Sequence, residues 1–114
     1  MNEIQPTLFD NWLVVQPEYG ETQTPKERFE AFHTANPAIY DALLGLAIDM
    51  RQRGVRKWGI KAALEVVRWQ YTIRTNSDDF KINNNYAPYY ARLIMLCEPM
   101  LDGFFEIRAM RGEE

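Results

Sequence analysis

The chain has 114 residues, of which 46% are hydrophobic and 25% charged, and its formal net charge is −3. This length fits one domain able to bury its own core, and the hydrophobic share excludes a disordered chain. A single cysteine, Cys97, excludes an internal disulfide and a thiolate zinc set, and no apolar run approaches the roughly 18 residues of a membrane span. A soluble, cytoplasmic protein without a membrane segment is expected. The charge is uneven: residues 1–50 carry two basic side chains against eight acidic ones, and residues 51–114 carry eleven against eight. Such asymmetry either gives the molecule two faces with different partners or is ordinary solvated surface.

Residues 1–24 contain Pro6, Pro17 and Gly20 and read as an extended N-terminal arm, followed by a single helical domain over 25–114. The arm carries one apolar patch, Leu8, Phe9, Trp12, Leu13, Val14 and Val15, which either folds back on the body or docks on a partner. Thr24-Pro25-Lys26-Glu27 is a capping box with proline at the first helical position, so a short helix is expected to about Thr34. Asn36-Pro37 opens a second, with Ile39, Tyr40, Leu43, Leu44, Ala47, Ile48 and Met50 in one stripe, and Gly54 stops it.

A third helix is expected from about Trp58 to Arg74. Ile60, Ala63, Leu64, Val67 and Tyr71 share one face, with Val66, Trp69 and Ile73 beside it, a stripe wide enough for a central helix. After a turn at Asn76–Asp79, Phe80-Lys81-Ile82 alternates as a short strand or an extended link. Asn83–Asn85 then offer caps for a fourth helix with Pro88 in its first turn and Leu93, Ile94, Leu96 and Cys97 on its apolar face. Pro99 ends it, Asp102-Gly103 turns, and Phe104–Met110 alternates like a final strand. The expected fold is mainly α, three to four helices with a short C-terminal β-hairpin, in a winged helix-turn-helix-like layout.

Catalytic chemistry is not visible. His33 has no second ligand for a metal and no nucleophile to serve, Cys97 falls on an apolar helix face, and the glycines form no phosphate-cradling loop. No cofactor or metal is expected, and the chain reads as a binding protein rather than an enzyme.

Two constellations point to nucleic acid. Arg51, Arg53, Arg56, Lys57 and Lys61 gather five cations between the second and third helices, the local density that phosphate neutralisation needs; the alternative is a solvated helix end. The opening of the fourth helix places Asn84, Asn85, Tyr89 and Arg92 where a recognition helix reads base edges; the alternative is capping asparagines and core-edge tyrosines. DNA is thus the expected partner, with Arg56, Lys57 and Lys61 on phosphates, Asn84, Asn85, Tyr89 and Arg92 at the groove, and Arg108 of the final strand adding to them.

Two resemblances add to this reading. Phe32-His33, Asn36-Pro37, Gly59-Ile60-Lys61, Glu65-Val66, Arg68-Trp69, Phe80 to Tyr86 and Tyr90-Ala91-Arg92 together resemble a family of small uncharacterised phage and prophage proteins over Phe29 to Arg108. The resemblance implies a viral or prophage origin and carries no activity with it. Gln5-Pro6-Thr7-Leu8-Phe9 is similar to the short peptide by which bacterial replication and repair proteins dock on the sliding clamp. It implies a host protein partner held by Gln5, Leu8, Phe9 and Trp12, the glutamine at a pocket rim and the Leu-Phe pair inside an apolar pocket.

Overall fold

The computed structural model describes residues 13–76 and 79–106. Four α-helices follow one another: α1 (Pro25–Ala35), α2 (Pro37–Gln52), α3 (Ile60–Thr75) and α4 (Ala87–Cys97), with short 3-10 turns at Asn84–Tyr86 and Pro99–Leu101. The α1 capping box forms as the sequence dictates. The Thr24 hydroxyl accepts from the Glu27 amide at 3.1 Å and the Glu27 carboxylate accepts from the Thr24 amide at 2.9 Å. Proline stands at the start of α1, α2 and α4, where its missing amide costs nothing. Gly54 adopts φ +98° just past α2, the left-handed stop that a side chain would resist.

α3 packs against both α2 and α4. Its Ala63, Val67 and Tyr71 are fully buried, as are Leu43 and Ala47 of α2 and Tyr90, Ala91 and Ile94 of α4. The alanines on all three helices let the backbones approach closely while the larger side chains interlock. Phe29 and Phe32 bring α1 onto this core through Tyr86 and Tyr90, with ring centroids 4.8–5.8 Å apart.

The third-helix stripe is narrower than its sequence suggests. Trp69 and Ile73 are 64% and 58% exposed, because α2 and α4 together cover only one side of α3. Leu96 is 81% exposed and Cys97 faces solvent instead of the core, since α4 buries the Tyr90–Ile94 side alone. Trp58 lies outside the helix, and Gly59 is its N-cap.

The expected C-terminal hairpin, and with it the winged helix-turn-helix layout, is corrected. Among the described residues there is no strand, only one isolated parallel bridge between Trp58 and Phe105. The Trp58 amide donates to the Phe104 carbonyl at 3.0 Å, and the Glu106 amide donates to the Trp58 carbonyl at 3.4 Å. Two facts explain the failure of the strand reading. Phe104 and Phe105 are both buried, so the in-out alternation of a half-buried strand does not hold here. The extended Phe80–Ile82 link does not pair with this segment either: Arg68 donates to the Phe80 carbonyl at 2.7 Å and Gln16 to the Lys81 carbonyl at 2.8 Å, toward the other end of α3 from Trp58. Among the described residues no helix is long and apolar enough to cross a membrane.

Residues 13–24 carry no helix and are pinned to the body by Asn36, at the joint between α1 and α2. Its fully buried side-chain amide accepts from the Val15 amide at 2.7 Å and donates to the carbonyls of Val15 at 2.7 Å and Phe32 at 3.0 Å. Replacing Asn36 by Ala removes all three bonds, while the half-exposed Val15 regains water. A loss of about 2 kcal/mol in denaturant unfolding is therefore expected, together with faster proteolysis within 13–24. An N36A variant as stable and as protease-resistant as the wild type would remove Asn36 from this role.

Candidate nucleic-acid interface

Arg51, Arg56 and Lys57 line one open hollow of about 380 Å³ at the corner between α2 and α3. All three side chains are exposed, as is Lys61 in the first turn of α3. Arg53 behaves differently, since its Nε donates to both oxygens of the Asp49 carboxylate at 3.1 Å. Among the described residues, no carboxylate pairs with Arg51, Arg56, Lys57 or Lys61. α3 begins at this corner without a side-chain cap and without an acidic residue in its first turn. Arg56, Lys57 and Lys61 therefore sit at the positive end of a helix dipole, where each cation is disfavoured by roughly 0.3–1 kcal/mol. An anion bound here would offset both the repulsion among the cations and the dipole.

The Asn-Tyr segment is elsewhere. Phe80 is tied to Arg68 and packs on Tyr71 at 5.2 Å, so the link into Asn83 leaves from the C-terminal half of α3. α4 then runs back until Met95 meets the Phe105 amide, next to Trp58. A 16-residue α3 spans about 24 Å, which places the cationic corner and the Asn-Tyr segment toward opposite ends of it. Asn84 and Asn85 are exposed on the 3-10 turn. Tyr89 is half-buried, stacked on Phe29 at 5.2 Å and 17°, and Arg92 is half-buried one turn further along α4. The structure thus brings Arg56 and Lys57 together, with Lys61 beside them, but does not join them to Asn84, Asn85, Tyr89 or Arg92. Arg108, Gln5, Leu8, Phe9 and Trp12 lie outside the described residues.

A second hollow of about 300 Å³ opens between the start of α1 and the start of α4, and Asn85 and Tyr89 do line it, together with Gln23, Arg28, Asn83 and Tyr86. The sequence pattern did not single out Arg28, although it is one of only two cations among residues 1–50. Arg28 lies 5.6 Å from the centroid of the Tyr19 ring and donates to the Gly20 carbonyl at 3.2 Å. Beneath it the Tyr86 and Tyr19 hydroxyls are hydrogen-bonded at 3.0 Å. Burial, then the bond to Tyr19, pushes the Tyr86 phenol above its ordinary range, and burial does the same to Tyr90. These phenols act as neutral hydrogen-bonding groups at any physiological pH.

His33 packs among aromatic rings, parallel to Phe29 at 5.9 Å and near Tyr40 at 5.3 Å. Its buried Nδ1 has no hydrogen-bond partner among the described residues. Burial lowers its pKa below 6.5, against a smaller raising effect of Asp41. The unfolded chain, titrating near 6.5, therefore takes up this proton first as pH falls, and the fold loses stability below that value. Thermal unfolding between pH 7.5 and 5 should fall more steeply in the wild type than in H33F, which keeps the stacking and lacks the proton. Parallel curves would show that His33 is not responsible.

The chain matches no protein family, no curated protein and no solved structure.

Proposed function

We propose that this protein is a phage-type DNA-binding accessory factor, cytoplasmic and non-enzymatic, that sits on the phosphate backbone through the corner between α2 and α3. The observation that carries the reading is the hollow lined by Arg51, Arg56 and Lys57 at the uncapped start of α3, with no carboxylate among the described residues to neutralise it. Phosphate oxygens suit both elements of this corner, because guanidinium and ammonium groups bind them by charge and a helix start attracts anions. Four cations imply a modest interaction. Each phosphate contact adds about 0.9 to the slope of log affinity against log salt, and binding at physiological salt falls in the non-specific range of about 10⁻⁴ to 10⁻⁶ M. The phage-type part of the reading rests on the resemblance of the motifs from Phe32-His33 to Tyr90-Ala91-Arg92 to small phage and prophage proteins.

Titrating a labelled mixed-sequence duplex at low and moderate salt tests this. Binding should weaken with salt at a slope of about 3 to 4, and Arg56→Ala or Lys57→Ala should each lower the slope by about one. Absence of binding at low salt, or a slope that the two substitutions leave untouched, removes the proposal.

A second reading has its own observation. Leu13 and Val15 are 59% and 50% exposed although the backbone of Val15 is held by Asn36, so of the described part of the patch only Val14 packs on the core. This favours a host protein, such as the sliding clamp, engaged by Gln5, Leu8, Phe9 and Trp12. Deleting residues 1–12 should abolish binding to purified clamp and leave the melting temperature of the body nearly unchanged, since the Val14 and Val15 anchors stay in place. A truncated chain that binds clamp as well as the full chain does would exclude this partner site.

A further inference from the structure

The hollow between α1 and α4 has a polarity of its own. Gln23 spends its Oε1 on the Gly20 amide at 2.9 Å, and Asn83 spends its Oδ1 on the Asn85 amide at 2.8 Å. Among the described residues neither amide nitrogen has a partner, so what they offer a visitor is donors. Arg28 uses one N–H on the Gly20 carbonyl, lies over the Tyr19 ring and belongs to the lining. The nearest carboxylate along the chain, Glu27, is engaged by the Thr24 amide. The exposed Asn85 amide has no side-chain bond among the described residues and offers a donor and an acceptor side by side. One wall is aromatic, with the Tyr89 ring lying on Phe29 as the second plate of a stack.

One buried group near the hollow, though not part of its lining, is left unsatisfied. The Tyr90 hydroxyl is buried without a hydrogen bond among the described residues, close enough to Tyr86 and Tyr19 to be influenced by both. A buried hydroxyl left unsatisfied costs about 1–3 kcal/mol, and native structures nearly always supply it with a group or a water.

We infer that this hollow is a nucleotide pocket, in which Arg28 with the amide nitrogens of Gln23 and Asn83 takes the phosphate oxygens, Tyr89 continues its stack onto the base, and Asn85 reads the base edge. Each part follows from chemistry already present. A donor-rich lining around one cation selects an acceptor-rich anion, an aromatic plate accepts any planar base, and a carboxamide forms paired bonds with a purine or pyrimidine edge. A volume of about 300 Å³ lies at the lower end of small-molecule sites and suits one nucleotide rather than a larger cofactor. The same chemistry arrives either as a free mononucleotide or as one nucleotide of a single strand. The pocket shares no lining residue with the cationic corner, so it stands or falls separately from the duplex proposal.

Two-dimensional NMR on the full chain decides the matter, with adenosine monophosphate, uridine monophosphate, inorganic phosphate and a short oligothymidylate as probes. Nucleotides should shift the resonances of Gln23, Arg28, Asn85 and Tyr89. Arg28→Ala should weaken their binding by roughly tenfold and Asn85→Ala by several-fold. Asn85→Ala is the safer variant, because that side chain holds nothing else in place. The double variant R56A/K57A should bind nucleotides unchanged even where it has lost duplex. Shifts produced by mononucleotides assign a free ligand, and shifts produced by oligothymidylate alone assign a strand. No shift with any of these probes, inorganic phosphate binding as tightly as the nucleotides, or binding abolished by R56A/K57A and kept by N85A would each overturn the proposal.

Discussion

The architecture depends on α3 burying one face against two helices at once. Ala63, Val67 and Tyr71 recur on that face and are wholly shielded between α2 and α4, and each large apolar side chain buried there is worth about 1.5–3 kcal/mol. A helix held on one side only is also a ruler. Its length fixes the distance between the cationic corner at its start and the aromatic end at its finish, and a side chain cannot bridge a span of that size. The molecule therefore has two polar ends of different character, one made of bare cations and the other of amides and phenols.

Polar satisfaction organises the aromatic end. Asn36 is fully buried and places both functions of its amide on backbone groups, which locks the α1–α2 joint to the chain running in from residue 13. Nearby, the Tyr71 hydroxyl donates to Asp79 at 2.7 Å and accepts from the Val14 amide at 3.4 Å. Burial and the Asp79 bond both raise that phenol's pKa. Tyr40, beside Cys97, is pushed up to about 12, chiefly by burial. Neutral phenols, rather than ion pairs, thus hold the joints of this end. The two ion pairs found among the described residues, Arg53–Asp49 and Arg68–Glu65, are local helix pairs with side chains open to solvent and contribute little.

Local chemistry was legible in the sequence wherever it acts within a few residues. The Thr24–Glu27 box, the prolines at helix starts, the Gly54 stop and the apolar spacing of the four helices are all present in the fold. What the sequence hid is which flank of each stripe finds a neighbour. Trp69, Ile73 and Leu96 obey the helical period and still face water, because periodicity states that a side is apolar without stating that anything covers it. The final strand, over its described residues Phe104–Glu106, failed for a related reason: both phenylalanines are buried, and its backbone meets only the single residue Trp58 rather than a strand. At the candidate sites the cluster of cations could be read directly, since its members are adjacent in sequence. Arg28 and Asn83 could not, because their shared hollow exists only after residues more than fifty positions apart meet.

The bridge between Trp58 and the Phe104–Glu106 segment has a consequence for how the molecule is made. The corner that carries Arg56 and Lys57 is sealed by residues emerging from the ribosome nearly fifty positions later. Until Glu106 has been synthesised, Trp58 lacks its backbone partners, and α2 and α3 can pair while the loop between them stays open. The charged corner is thus closed by a segment distant in sequence, so a change at Phe104–Glu106 reaches Arg56 and Lys57 through the backbone of Trp58.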